Sequence, residues 1–119
     1  MKEDALKVKS FAFALRIVKL CKYLRKEQKE YILSKQILRS GTAIGALVSE
    51  AKFGQSKADF VSKMSIALKE ANETDYWLRL LKEGDYLDEK MFKSLYIDLN
   101  ELISLLVSTV KTSKKKSNS

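Results

Sequence analysis

The chain has no histidine and no proline, a single cysteine, and only four glycines in 119 residues. Without histidine there is no Ser-His-Asp or Cys-His nucleophile system, and no Glu-x-x-His ligand pair of the kind that holds di-iron centres in helical bundles. Without proline, and with glycine scarce, little in the chain interrupts a helix. The lone Cys21 has no partner for an internal disulfide, which fits a reducing, cytoplasmic setting. No apolar run approaches the roughly 20 residues that span a bilayer, so no membrane role is expected. Met1-Lys2-Glu3-Asp4 leads into mixed charge instead of a signal-peptide core.

What is present favours helix. Ala, Leu, Lys and Glu are plentiful, and the expected class is all-α, as one domain able to bury about two thirds of its unfolded surface. Lys and Arg number 23 against 15 Asp and Glu, a formal charge of +8. Such a balance invites a polyanion, nucleic acid ahead of an anionic membrane surface. The distribution is uneven. Residues 5–26 carry Lys7, Lys9, Arg16, Lys19, Lys22, Arg25 and Lys26 with no acid, whereas acids outnumber bases over residues 59–101.

Residues 38–81 organise the chain, as two helical patterns meeting at Phe53-Gly54-Gln55-Ser56. Ser56 followed by Asp59 is a variant capping box, a helix start. Phe60, Met64, Ala67, Ala71, Thr74, Leu78 and Leu81 then recur at spacings of three and four, a bundle-like seam ending at Gly84 as C-cap. Before the junction, Ile37, Gly41, Ile44, Val48 and Ala51 form a seam of smaller residues. Gly41 and Gly45 each cost about 1 kcal/mol of helix propensity against Ala, which close approach of two backbones explains.

The first helix is predicted over residues 5–25. Its apolar residues, among them Val8, Phe11, Phe13, Leu15, Ile17, Val18 and Leu24, occupy more than half of its circumference. That exceeds what one monomer core needs and predicts a subunit interface in a homo-oligomer. The remaining arc is a basic stripe of Lys9, Arg16, Lys19, Lys22 and Lys26, with Tyr23 among them. Residues 26–32 form a charged connection. The second helix runs from an N-cap Ser34 to Lys52, the third over residues 57–83, and the fourth from an N-cap Asp88 along Phe92, Leu95, Leu99, Leu102, Leu106 and Val110. Short connections predict an antiparallel, up-down four-helix bundle over residues 1–110. Residues 111–119, with Lys114, Lys115 and Lys116, have nothing to bury and are predicted to be a disordered basic tail.

Gln36-Ile37-Leu38-Arg39-Ser40-Gly41-Thr42-Ala43-Ile44, Ser49-Glu50-Ala51, Ser56-Lys57-Ala58-Asp59-Phe60 and the run from Ile66 through Glu70, Glu73, Tyr76 and Trp77 to Leu78, taken in this order and spacing, resemble a known family. It is the bacterial four-helix-bundle proteins first named for open reading frames inside 23S rRNA intervening sequences, and the likeness spans residues 11–114. Such proteins resemble in turn the accessory proteins of diversity-generating retroelements. The resemblance implies a homopentameric ring or barrel with a basic surface, without enzymatic activity and without cofactor, that binds nucleic acid.

Three constellations carry chemistry. Glu70, Glu73, Asp98 and Glu101 are the residue types with which all-α nucleotide pyrophosphatases hold magnesium. Asp98 and Glu101, however, fall on the side of the fourth helix away from its apolar seam, so no metal site is expected. Arg39, Glu50, Glu70 and Glu73 are expected to form a structural ion network that fixes helix register, within the chain or with a neighbouring subunit. Tyr76 and Trp77 present aromatic faces suited to base stacking, although Trp77 borders the seam and packing accounts for it. Cys21 falls on the apolar arc of the first helix as a small hydrophobe.

The expected function is an oligomeric, non-enzymatic scaffold that contacts phosphates of RNA or DNA through Lys9, Arg16, Lys19, Lys22 and Lys26, with Lys114, Lys115 and Lys116 as auxiliaries. The alternative is an adaptor that docks an acidic patch of a protein partner, such as a reverse transcriptase. A metal-dependent pyrophosphatase is the third reading.

Overall fold

The computed structural model describes residues 2–53 and 56–117, and they are all-α. Four helices follow one another: α1 (Lys2–Lys26), α2 (Leu33–Ala51), α3 (Lys57–Glu83) and α4 (Glu89–Ser117). Each packs against its neighbours in sequence, and α1 also packs against α4, so the helices enclose one core while α1 and α3 stay apart on a diagonal. Phe13, Ile17 and Leu24 of α1, Ile37 and Ile44 of α2, Met64 and Leu78 of α3, and Leu99, Leu102 and Leu106 of α4 are fully buried there. Each such side chain contributes about 1.5–3 kcal/mol of burial. The body measures 51 × 22 × 20 Å.

Contacts between neighbouring helices run in opposite residue order. Ser10, Ile17 and Cys21 of α1 meet Gly45, Gly41 and Ser34 of α2. Lys9 and Arg16 meet Glu101 and Asp98 of α4. Both α2 glycines are set by this packing. A Cβ on Gly41 would stand 2.8 Å from Ile17 Cγ1, and one on Gly45 would stand 3.2 Å from the Ser10 carbonyl oxygen. Across the α2–α3 seam, the buried Thr74 hydroxyl donates to Ser40 Oγ at 2.9 Å, so a polar pair sits in the core with its hydrogen bond made.

Helix boundaries follow local chemistry. The Ser56 hydroxyl accepts from Asp59 N–H at 3.1 Å, and Asp88 Oδ1 accepts from Met91 N–H at 2.8 Å, the two expected caps. Ser34 is not the cap of α2. It lies inside the helix, fully buried, and the Glu30 carboxylate takes the N–H groups of Ile32, Leu33 and Ser34 at 3.2, 3.0 and 2.8 Å. Gly84 does cap α3, but with φ −83; the left-handed residue is Asp85, at φ 67, which asparagine-like side chains tolerate.

The far end departs from expectation as well. Residues 111–117, expected to form a disordered tail, continue α4 as helix. Of residues 111–115 only Ser113 is buried, so these turns cover something along one side. Gly54 and Gln55 of the α2–α3 junction, and residues 118–119 of the expected tail, lie outside the described residues. Among the described residues no helix is long and apolar enough to cross a membrane.

Candidate nucleic-acid interface

α1 buries one face and displays the other. Phe13, Ile17, Leu20, Cys21 and Leu24 point into the core. The opposite face begins apolar, with Val8 at 68%, Phe11 at 66% and Leu15 at 49% exposed. It ends basic, with Lys19, Lys22 and Lys26 exposed and, among the described residues, without an ion pair. The apolar excess read from the sequence is therefore a real exposed surface, confined to the first half of the helix.

The basic stripe is narrower than its sequence suggests. Lys9 Nζ pairs with Glu101 Oε1 at 2.8 Å. Arg16 Nη1 donates to Asp98 Oδ2 at 2.7 Å and to the Ser94 carbonyl at 3.1 Å, while its Nη2 donates to Ser94 Oγ at 2.8 Å. α1 has no acid over residues 5–26, but α4 supplies two from the neighbouring helix, so the charge that looked unopposed along the chain is offset in space. These two cations lie across the α1–α4 seam, and Lys19, Lys22 and Lys26 are the cations of the stripe that have no ion pair among the described residues. Lys114 and Lys115 are exposed on the last turns of α4. Because Lys9 already faces Glu101, those turns lie at the other end of the molecule from Lys22 and Lys26. The Lys116 side chain lies outside the described residues.

Across the α2–α3 seam, Arg39 Nη1 donates to Glu70 Oε2 at 2.8 Å and its Nη2 pairs with Glu73. The hydrogen bond to Glu70, followed by the charges of both carboxylates, raises the Arg39 pKa above its ordinary value. Glu50 is not part of this cluster and faces Lys63 Nζ at 3.4 Å. Glu70 and Glu73 thus face α2, whereas Asp98 and Glu101 face α1, and the four carboxylates of the magnesium reading are not brought together. Among the described residues no cluster of three or more acidic, histidine or cysteine side chains could hold a metal ion.

The aromatic pair divides. Trp77 packs against the core with its Nε1 buried and without an acceptor, and Tyr76 stands edge-on to it at 5.1 Å between ring centroids, 53% exposed. Cys21 is buried, its thiol donating to the Ser34 carbonyl at 3.3 Å. Burial pushes the thiol up to about 11, opposed by the Arg25 charge and assisted by that of Glu30.

Two residues of this end carry no signal in the periodicity. Tyr31 and Ile32 stand 57% and 75% exposed in the α1–α2 turn, which follows Lys22 and Lys26 along the chain. An aromatic and an aliphatic side chain inside a charged connection, in phase with neither flanking helix, were the available hint.

No curated protein matches the chain. It is similar, at 53% identity and a TM-score of 0.92, to the crystal structure of a protein of unknown function from the S23 ribosomal protein family of Bacteroides thetaiotaomicron VPI-5482; the match covers 93% of this chain and 99% of that one. Residues 3–108 match the family described as 23S rRNA-intervening sequence protein, and the chain belongs to that family.

Proposed function

We propose that this protein is a non-enzymatic, self-assembling scaffold that binds the phosphates of RNA or DNA through Lys19, Lys22 and Lys26. The observation that carries this reading is a face of α1 on which exposed lysines recur without an ion pair among the described residues, in a protein of net charge +8. Contacts of this kind hold a nucleic-acid backbone without reading its sequence, and favour shaped RNA or a hybrid duplex. The four helices form an up-down antiparallel bundle in this reading, which the opposite residue order of the seam contacts supports.

Self-assembly accounts for the exposed apolar surface. α1 displays Val8, Phe11 and Leu15, and the diagonal α3 displays Ile66, Tyr76 and Leu80. Two different patches on opposite sides suit a head-to-tail contact between copies, the kind that closes into a ring, which we take to be of five subunits. Such a ring repeats the lysines around its axis, so weak phosphate contacts add through effective concentration. In solution, Phe11→Asp with Leu15→Asp should lower the particle mass measured by light scattering to that of one chain. An unchanged mass would remove those residues from the interface.

Fluorescence anisotropy with a structured RNA and a matched DNA duplex tests the binding itself. Lys19, Lys22 and Lys26 changed together to Glu should abolish binding with the mass unchanged, while Lys9→Ala, whose partner is Glu101, should weaken it far less. Absence of binding by the unaltered protein at low salt would instead favour the adaptor reading, in which this face docks an acidic protein.

A further inference from the structure

We propose that the α1–α2 turn is a base-stacking element, in which Tyr31 stacks on an unpaired base while Lys22, Lys26 and Lys29 hold the neighbouring phosphates; this rests on the nucleic-acid reading above.

Tyr31 is not exposed because its loop is loose. Glu27 N–H donates to the Tyr23 carbonyl at 2.8 Å, and Glu30 N–H reaches back to the Leu24 carbonyl at 2.9 Å, with Lys29 in the left-handed region at φ 55 between them. The Glu30 carboxylate then takes three consecutive N–H groups of the residues that follow. Gln28 Nε2 donates to the Tyr23 hydroxyl at 2.8 Å. The turn is fastened on both sides of Tyr31, and the core closes without that ring. A rigid turn that holds an aromatic face and the Ile32 side chain in water has organised a surface for a partner.

Charge selects that partner. The turn and the helix ends that flank it in sequence carry Lys22, Arg25, Lys26, Lys29 and Lys35, all exposed, against Glu27 and Glu30. Glu30 is buried and its oxygens are committed to backbone N–H groups, which leaves Glu27 as the one exposed carboxylate of the turn. Glu83 closes α3, and the exposed Asp85 and Asp88 lie in the turn between α3 and α4. Exposed cations beside an aromatic face are the two components by which single-stranded nucleic acid is held, the cations along its backbone and the ring against a base. A duplex keeps its bases stacked on one another, so the turn distinguishes unpaired from paired strands.

The test compares a labelled short single strand, as RNA and as DNA, with the corresponding duplex, against the unaltered full chain, Tyr31→Ala, Tyr31→Phe and the Lys19, Lys22, Lys26 triple Glu variant. Tyr31→Ala should weaken single-strand binding about tenfold or more and leave duplex binding within twofold. Tyr31→Phe, which keeps the ring, should restore it, and the triple variant should lose both probes. Equal single-strand binding by Tyr31→Ala and the unaltered chain would overturn the stacking role and leave the phosphate reading standing. A fall in particle mass with Tyr31→Ala would overturn it too, placing the ring between copies. Failure of the unaltered chain to bind any probe at low salt would overturn both.

Discussion

Glu30 decides how α2 begins. An acid three residues ahead of a helix is usually a solvated charge, but here its two oxygens close off the first turn of α2 and the Ser34 hydroxyl returns a hydrogen bond to the Glu30 carbonyl at 3.0 Å. Glu30→Ala should lower stability by roughly 1–3 kcal/mol in chemical denaturation, because buried N–H groups lose their acceptor, and Glu30→Gln should cost less. Ser34 carried the expected signal for a cap and the spacing from Glu30 did not, since capping chemistry is ordinarily read from the residue just before the helix. Cys21 was legible: its place on the apolar arc predicted burial. Its thiol should resist alkylation in the native protein at pH 8 and react once denatured. The folded thiol stays protonated up to about 11, against 9.0 ordinarily, so it binds its proton more tightly in the folded state. Its contribution to stability is complete below pH 9 and is lost as pH rises towards 11, a decline that Cys21→Ala should make shallower.

At the scale of the helix, periodicity located all four elements, and α3 begins and ends where its capping residues predict. The glycines of α2 were read as points of close approach, and both meet α1 within 3.2 Å of an added Cβ. Gly41→Ala therefore sets about 1 kcal/mol of helix propensity against a clash with a buried branched side chain, which costs about 1–3 kcal/mol. The clash should win, and the thermal midpoint should fall, although the same change on an exposed helix face would raise it. The end of α4 differs from expectation because residues 111–117 are polar by composition, whereas Ser113 is buried, a fact that a one-dimensional pattern does not contain. The charge stripe of α1 failed in the same way. Counting along one helix located its cations, but only the packing of α4 showed that Lys9 and Arg16 are already paired.

Over the whole molecule, four helices leave two kinds of surface uncovered, an apolar one on α1 and α3 and a basic one at the α1–α2 end. The α1 part of the first was legible as an excess of apolar circumference and the second as a run without acids; the α3 patch and the sorting of paired from unpaired cations were not. The central claim is that Lys19, Lys22 and Lys26 are phosphate contacts. The most direct measurement is the dependence of binding on salt concentration, since each phosphate contact releases condensed counterions and adds about 0.9 to the slope of log affinity against log salt on duplex DNA. The unaltered protein should show a steep slope. Replacing the three lysines one at a time by Gln should flatten it stepwise, in proportion to the number of copies in the particle that reach the duplex. A slope near zero, or one that no lysine replacement changes, would contradict the claim and leave these lysines with no role beyond keeping the protein in solution.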